Sequence, residues 1–274
     1  MGTAEHRYVL GSAEAELRRL DLQAAAIDLP TRQMLQAAGI GDGMRVLDLG
    51  TGPGHVAAIL SELVGPAGEV VGLDLSADML AVAARRTTDA GIANVRLEQG
   101  DVTVWRDERP FDAVVGRLVM FHMPDPGAVL RHHVAAIRPG GRMAMIDFDV
   151  GGARSEPPVD TVMQTRDWVI AAFRHAGAHP TVGTRLKLLL EAAGLTGVVS
   201  FGVQGYMAPD DPTGPALLAG IAGTLSPVIL EAGIATEQQL GLDTLEGRLA
   251  EALREADAVF LPPTVVGAWG SVLG

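Results

Sequence analysis

Residues 46–55 read VLDLGTGPGH: an apolar run holding one acid, Asp48, then glycines at the alternate positions 50, 52 and 54. In a strand–turn–helix setting such glycines let a ligand approach backbone N–H groups and a helix N-terminus without meeting a side chain. Nucleotide sites of several kinds share this device, and two residues separate them. The dinucleotide fingerprint G-x-G-x-x-G wants its third glycine at position 55, where this chain has His55. Asp48 stands at the mouth of the turn, where a pyrophosphate would meet a carboxylate. Unit like charges about 5 Å apart at an effective dielectric near 20 repel by roughly 3 kcal/mol. A positively charged ligand gains by the same amount, so the acid before the glycines selects a cation.

Composition removes most rivals. Without cysteine there are no disulfides, thiol nucleophiles or cysteine-held metal and iron–sulfur sites. Lys187 is the only lysine, inside TRLKLLLEAAG, which reads as a plain helix, and no GxxxxGK[ST] loop is present. His132 and His133 are neighbours on a helix and cannot face one ion together, so they read as exposed or partly packed, and no metal is expected. The net charge of −12, from 33 acids and 21 bases, repels phosphate backbones and disfavours nucleic acid as partner. No apolar stretch approaches the roughly 18–20 residues that span a bilayer, and the opening MGTAEHRYVL lacks a signal-peptide core. A cytoplasmic, monomeric or homodimeric protein handling a small molecule is the expectation.

The elements that must position the loop follow from periodicity. Helices are predicted over 12–28 and 30–39, followed by strand 45–50, helix 54–64, strand 69–75, helix 77–90 and strand 94–100. Strand 111–117, helix 126–137 and strand 142–148 continue the alternation. Short, wholly apolar strands in such an order predict a parallel, doubly wound sheet buried on both faces. After Val150 the rhythm breaks into helices at 160–177 and 184–194, a strand at 197–204, helical stretches near 215–232 and 236–256, and a strand-like run at 258–268. The organisation expected is an N-terminal helical lid over 1–43, a ligand-binding core over 44–150, and completion of the sheet with helical cap insertions over 151–274. Those insertions, with ALLAGIAGTL, Trp168, Phe173, Tyr206 and Met207, are expected to cover one edge of the sheet rather than form a separate domain.

S-adenosylmethionine, an adenosine with a sulfonium and an ammonium group, is a cation of the required kind. VLDLGTGPGHVA resembles the first signature of class I S-adenosylmethionine-dependent methyltransferases, VVGLDLSADML the second and VRLEQGDV the third. FDAVVGRLVMFHMPDP and IRPGG are similar to the landmarks of their fourth and fifth strands, so the likeness runs over about 44–148. YVLGSAEAELRRLDLQAAAID and GGARSEPP are similar, more loosely, to a bacterial subgroup near the ubiquinone/menaquinone-type enzymes. The resemblance implies an α/β, Rossmann-like, mostly parallel seven-stranded sheet, with S-adenosylmethionine as cofactor and S-adenosylhomocysteine as product. It places Asp48, Gly50, Thr51, Gly52 and Gly54 around the cofactor, and Asp74 on the ribose hydroxyls with Leu75 and Met79 alongside. Gly100, Asp101 and Val102 would meet the adenine, Asp101 taking its amino group. Arg117 has two readings, cofactor contact or a salt bridge facing the surface. Tyr8 and Gln23 either fold over the methionine end or pack a helix.

Methyl transfer from a sulfonium is an in-line displacement that needs alignment, and a base where the acceptor must lose a proton. His122, in RLVMFHMPDP after the fourth strand, is the candidate base or a pocket wall. Asp147, ending the fifth strand, would orient its imidazole or bind the acceptor. His175 and His179 are candidates for lining a pocket. The alternatives are a cyclase or isomerase of the same fold that binds the cofactor without transferring methyl, a nicotinamide dehydrogenase, and a binding module without catalysis. Asp48 and His55 disfavour the dehydrogenase.

Overall fold

Valine- and leucine-rich runs punctuated by glycine turns pair here as parallel neighbours, in a computed structural model that describes residues 13–274. In chain order the elements begin with α1 (Ala13–Ala37), β1 (Arg45–Leu49), α2 (His55–Val64), β2 (Glu69–Asp74) and α3 (Ala77–Asp89). Next are β3 (Val95–Gln99), β4 (Phe111–Arg117), α4 (Pro126–Val134) and β5 (Ile137–Asp149). β6 (Arg154–Glu156), α5 (Asp160–His175), α6 (Leu186–Ala192) and β7 (Thr196–Val203) follow. The chain ends with α7 (Thr213–Thr224), α8 (Ser226–Glu231), α9 (Glu237–Leu240), α10 (Leu242–Glu255), β8 (Val259–Leu261) and β9 (Thr264–Ser271).

Packing divides the chain into two units. The larger comprises 23–149, 178–203 and 264–274 and is built on a seven-stranded sheet of order β3-β2-β1-β4-β5-β9-β7. Its first five strands are parallel, and β9 runs antiparallel between β5 and β7. Val46, Leu47, Leu49, Val70, Val71, Val114 and Met143 are fully buried, as strands covered on both faces require. The order reverses between β1 and β4, where Asp48 pairs in register with Val115 and Leu49 with Gly116. Open parallel sheets bind ligands outside the carboxyl ends of the strands at such a reversal. Asp48, Asp74, Arg117 and Asp147 all fall at or next to that edge of their strands.

The other unit comprises 150–177, 204–263 and the described residues up to Leu22. Helices α5, α7, α8 and α10 pack together there around Leu218, Ala222, Ile229, Leu245, Leu249 and Leu253, beside the two-stranded sheet β6–β8. Of 151–274, expected to complete the sheet and carry helical insertions, 178–203 and 264–274 do join the main sheet, while 150–177 and 204–263 pack as a unit of their own. Two further expectations are corrected. Pro30 does not separate two helices: α1 runs through it, because Ala24, Ile27, Met34 and Leu35 are buried on both sides of the proline. That burial outweighs a cost of roughly 3 kcal/mol for an interior proline. The run 258–268 is not one strand; Pro262 and Pro263 break it into β8 and β9, which belong to different sheets. Among the described residues no helix is long and apolar enough to cross a membrane.

A short 3₁₀ turn, Val182–Arg185, seats on the end of β5. A Cβ at Gly183 would stand 2.8 Å from the Phe148 carbonyl carbon, 2.9 Å from its oxygen and 3.0 Å from Asp149 N. Backbone atoms of a central strand cannot step aside, so Gly183→Ala is expected to destabilise the protein by about 1–3 kcal/mol. Urea unfolding should show this as a lower midpoint at unchanged slope.

Candidate functional site

The loop between β1 and α2 turns on glycines held at φ 63° (Gly50), 54° (Gly52) and 89° (Gly54), values that side chains rarely allow. A Cβ on Gly50 would lie 2.5 Å from Val119 Cγ2, so this glycine admits the chain leaving β4. Gly52 differs, since a Cβ there would meet nothing nearer than the Gly50 carbonyl at 4.0 Å. The middle of the loop therefore opens onto free room, which is a cradle rather than a packing contact. At position 55 His55 Nε2 lies 2.7 Å from Arg86 Nη1, joining α2 to α3 in place of a dinucleotide-type glycine contact.

Under this loop lies a buried acid with the Thr51 hydroxyl beside it. Asp48 is 1% exposed, and both its carboxyl oxygens and the neighbouring Thr51 hydroxyl are buried without a hydrogen bond. Burial pushes its pKa up to about 7; the Thr51 hydroxyl and the charge of Arg117 pull the other way, and Asp74 adds to the push. A buried acceptor without a donor is costly, and a donor or a cation arriving from outside relieves it. Arg117, whose side chain is 7% exposed, does not form the surface-facing salt bridge that was the second expectation. Its Nη1 donates to Asp28 Oδ1 at 2.7 Å and to Thr31 Oγ1 at 3.1 Å, so the salt bridge is with α1 and buried on the Arg117 side.

Asp74 closes the loop over the gap between β1 and β2. Its Oδ2 accepts from Gly52 N and its Oδ1 from Ser76 N, both at 2.8 Å, which leaves each oxygen a further lone pair. Ser76 caps α3 by accepting from Met79 N. Leu75 stands exposed beside this carboxylate and Met79 is half-buried. Past β3, Gly100 and Asp101 enter a turn in which Val102 is buried. Gln23 is half-buried on α1, and Tyr8 lies outside the described residues.

His122 sits half-buried on a 3₁₀ turn, Met120–His122, its ring centroid 4.9 Å from that of Phe121. Asp147 does not orient this imidazole as expected. Its Oδ2 accepts from Phe121 N at 3.1 Å and its Oδ1 from Phe148 N at 3.0 Å, so the carboxyl ties the turn to the end of β5. Burial raises its pKa to about 7 against the pull of those N–H groups. Leu118, where β4 gives way to this turn, holds φ 59°, a strained value for a bulky residue, and donates to the Ile146 carbonyl at 2.8 Å. His175 and His179 are exposed. His133, expected to be exposed or partly packed, is fully buried. Sequence reasoning missed Asp28 and Thr31; the available signal was Arg117 itself, a charge ending an apolar strand and needing a counter-ion.

The family model described as "Methyltransferase domain" matches residues 40–188. A ubiquinone/menaquinone biosynthesis C-methyltransferase of Pseudomonas putida is 34% identical over 119 residues, covering 43% of this chain and 46% of that protein. The chain thus spans a little under half the length of that curated relative. Among solved structures, the YcgJ protein of Bacillus subtilis aligns at a TM-score of 0.56 over 88% of this chain and 97% of that one, with 18% identity. The [4+2]-cyclase SpnF aligns at 0.55 over 91% and 82%, also with 18% identity. At these identities the two structures share the fold, and nothing more is carried over from them.

Asp48 and Asp147 hold a proton in the folded state to about pH 7 that the unfolded chain releases from about pH 4 upward. The folded state binds more protons in that window, so these two groups make stability fall as pH rises through it and then level off. His133, lowered to about 4 by burial, opposes them over part of the range, so a variant-minus-parent difference isolates Asp48. Asp48→Asn is expected to raise the stability of the unliganded protein at pH 8 by about 1–3 kcal/mol, with a much smaller gain near pH 5. Urea unfolding at the two pH values measures both; an Asn variant weaker than the parent at pH 8 would contradict the reading of Asp48 as an unpaired acid.

Proposed function

The chain belongs to the methyltransferase-domain family, and on that premise we propose that it is an S-adenosylmethionine-dependent methyltransferase with a small-molecule acceptor. The observation that carries this reading is Asp48, buried beneath the open glycine cradle without a well-formed hydrogen bond among the described residues. A cationic cofactor satisfies that acid, and a pyrophosphate aggravates it. S-adenosylmethionine supplies a methyl group on a sulfonium that is already an activated leaving group.

The chain's own residues then bind, align and, where needed, take a proton. Asp74, fixed by Gly52 N and Ser76 N, offers its remaining lone pairs to a pair of ribose hydroxyls. Leu75 and Met79 flank it, and Asp101 with Val102 takes the adenine. Asp48 and Thr51 accept at the positively charged end, with Gly50 and Gly54 shaping the loop. Arg117, anchored on Asp28 and Thr31, brings its charge to the methionine carboxylate, and Gln23 of α1 covers that end. Alignment of acceptor, methyl and sulfur is worth several kcal/mol, about what proximity supplies in well-oriented reactions. His122 removes the proton where the acceptor is a hydroxyl or an enol-like carbon, and Asp147 positions its turn through Phe121 N.

A small acceptor agrees with the net charge of −12 and with the name of the Pseudomonas putida relative, a C-methyltransferase of quinone biosynthesis. Incubation with methyl-labelled cofactor and fractionated extracts tests the reaction. Labelled product together with S-adenosylhomocysteine supports methyl transfer; turnover of an acceptor without S-adenosylhomocysteine supports the cyclase or isomerase alternative.

Calorimetry is expected to show binding of S-adenosylmethionine and S-adenosylhomocysteine but not NADH. Asp74→Ala should weaken S-adenosylhomocysteine by about 1–3 kcal/mol, the scale of lost charged hydrogen bonds; unchanged affinity in a folded variant removes Asp74 from the site. For His122→Ala and His122→Gln, single-turnover methylation is expected to slow by about 10²–10⁴-fold at nearly constant cofactor affinity. A rate within a few-fold of the parent across the neutral range makes His122 a wall and not a base.

A further inference from the structure

Side chains of neighbouring residues on a helix point about 100° apart, so His132 and His133 of α4 cannot close on one ion. They grip two carbonyls of a single turn instead. His133 Nε2 lies 2.7 Å from the Val102 carbonyl oxygen, and His132 Nε2 lies 2.8 Å from that of Trp105. A carbonyl can only accept, so both Nε2 atoms carry the proton. His132 Nδ1, 3.4 Å from Arg106 Nη2, then receives rather than gives. His133 is 1% exposed, and burial keeps its imidazole neutral by drawing its pKa down to about 4.

The gripped turn is Asp101–Trp105. Trp105 N and Val104 N both donate to the Asp101 carbonyl, at 2.8 and 3.1 Å. Asp101 Oδ1 accepts from Thr103 N at 2.8 Å and from Thr103 Oγ1 at 2.7 Å. The Trp105 ring presses on Gly100, where a Cβ would come within 2.5 Å of Trp105 Cδ1. An apolar residue at 133 would fill the same space and leave the Val102 carbonyl without this donor.

We propose that His133, supported by His132, is a positioning residue that sets the place of the Asp101–Val102 turn against the purine and thereby enforces selection of its 6-amino group. This rests on S-adenosylmethionine being the ligand of the glycine cradle. The histidine touches no part of the cofactor; it acts through the Val102 carbonyl.

The test compares dissociation constants for S-adenosylhomocysteine and S-inosylhomocysteine, whose purine carries a 6-oxo group, together with the melting temperature of the unliganded protein. His133→Leu keeps an apolar filling and removes the donor. Its preference for the adenosyl ligand is expected to fall about three- to ten-fold, the scale of one hydrogen bond. His133→Gln, which returns an N–H at similar reach, should recover most of the preference. Should His133→Leu not fold, His133→Asn, whose shorter amide stops short of the carbonyl, gives the same comparison. A histidine that only packs would lower the melting temperature and weaken both ligands alike, and an unmoved ratio overturns the proposal. A parent protein that binds neither ligand overturns the cofactor reading and this one with it; a parent that prefers the adenosyl ligand, with variants that prefer it equally, overturns this one alone.

Discussion

A carboxyl group buried without a partner at the end of β1 sets the terms for the residues around it. Folding alone gives no reason to keep Asp48 there: it sits 1% exposed between two central strands, and an apolar residue would remove the cost of its desolvation. The surroundings reduce that cost without ending it. Arg117 is near enough for its charge to favour the ionised form, but its Nη1 is committed to Asp28 and Thr31. The Thr51 hydroxyl, buried beside the acid, also favours the ionised form, but without a hydrogen bond of good geometry. On the proposed reading the site holds a proton when empty and a positive charge when filled, and exchanges one for the other near neutral pH. Cofactor binding is therefore expected to be linked to proton release from Asp48.

The neighbouring acids are handled in the opposite way, and the contrast separates their roles. Asp74 and Asp147 are both satisfied by backbone N–H groups, each bridging two segments: Asp74 joins the glycine loop to the start of α3, and Asp147 joins the His122 turn to β5. A carboxylate that accepts from backbone fixes the geometry of a loop, because the donors cannot rotate away. The loops at this edge of the sheet thus owe their shape to side chains at strand ends rather than to strand pairing. Asp147 is better described as a support for the turn bearing His122 than as a partner of the imidazole.

What could be read from the sequence was what is local. RVLDL, EVVGLD and FDAVVGR announce buried strands by composition, and the glycines at 50, 52 and 54 announce a turn that no side chain can enter. The continuity of α1 through Pro30 was not, because it depends on burial supplied by the sheet. The partners of Arg117 lie 89 and 86 residues away, beyond any spacing rule. His133 is an instructive miss, since Val129, Leu130 and His133 share one buried face of α4 at helical spacing. Periodicity marked the position as interior, and the residue type suggested otherwise. The packing of 150–177 with 204–263 required contacts between segments separated by a strand of the other sheet.

Val119 couples the two halves of the site in a way that pairwise roles do not describe. Its Cγ2 fills the space that a side chain at position 50 would need, so the glycine loop and the segment leaving β4 fit only as a pair. Leu118, just before it, holds a left-handed conformation that costs on the order of 1–3 kcal/mol in a non-glycine residue. That conformation turns Val119 into the gap above Gly50 and starts the 3₁₀ turn bearing His122, while Leu118 N stays paired with the Ile146 carbonyl. The strain is thus spent where the cradle and the candidate base must keep a fixed separation. In-line displacement tolerates little error along the line of acceptor, methyl and sulfur. A relaxed backbone at Leu118 would remove the strain but also the wedge that holds the two loops in register, so stability and loop geometry oppose each other at this residue.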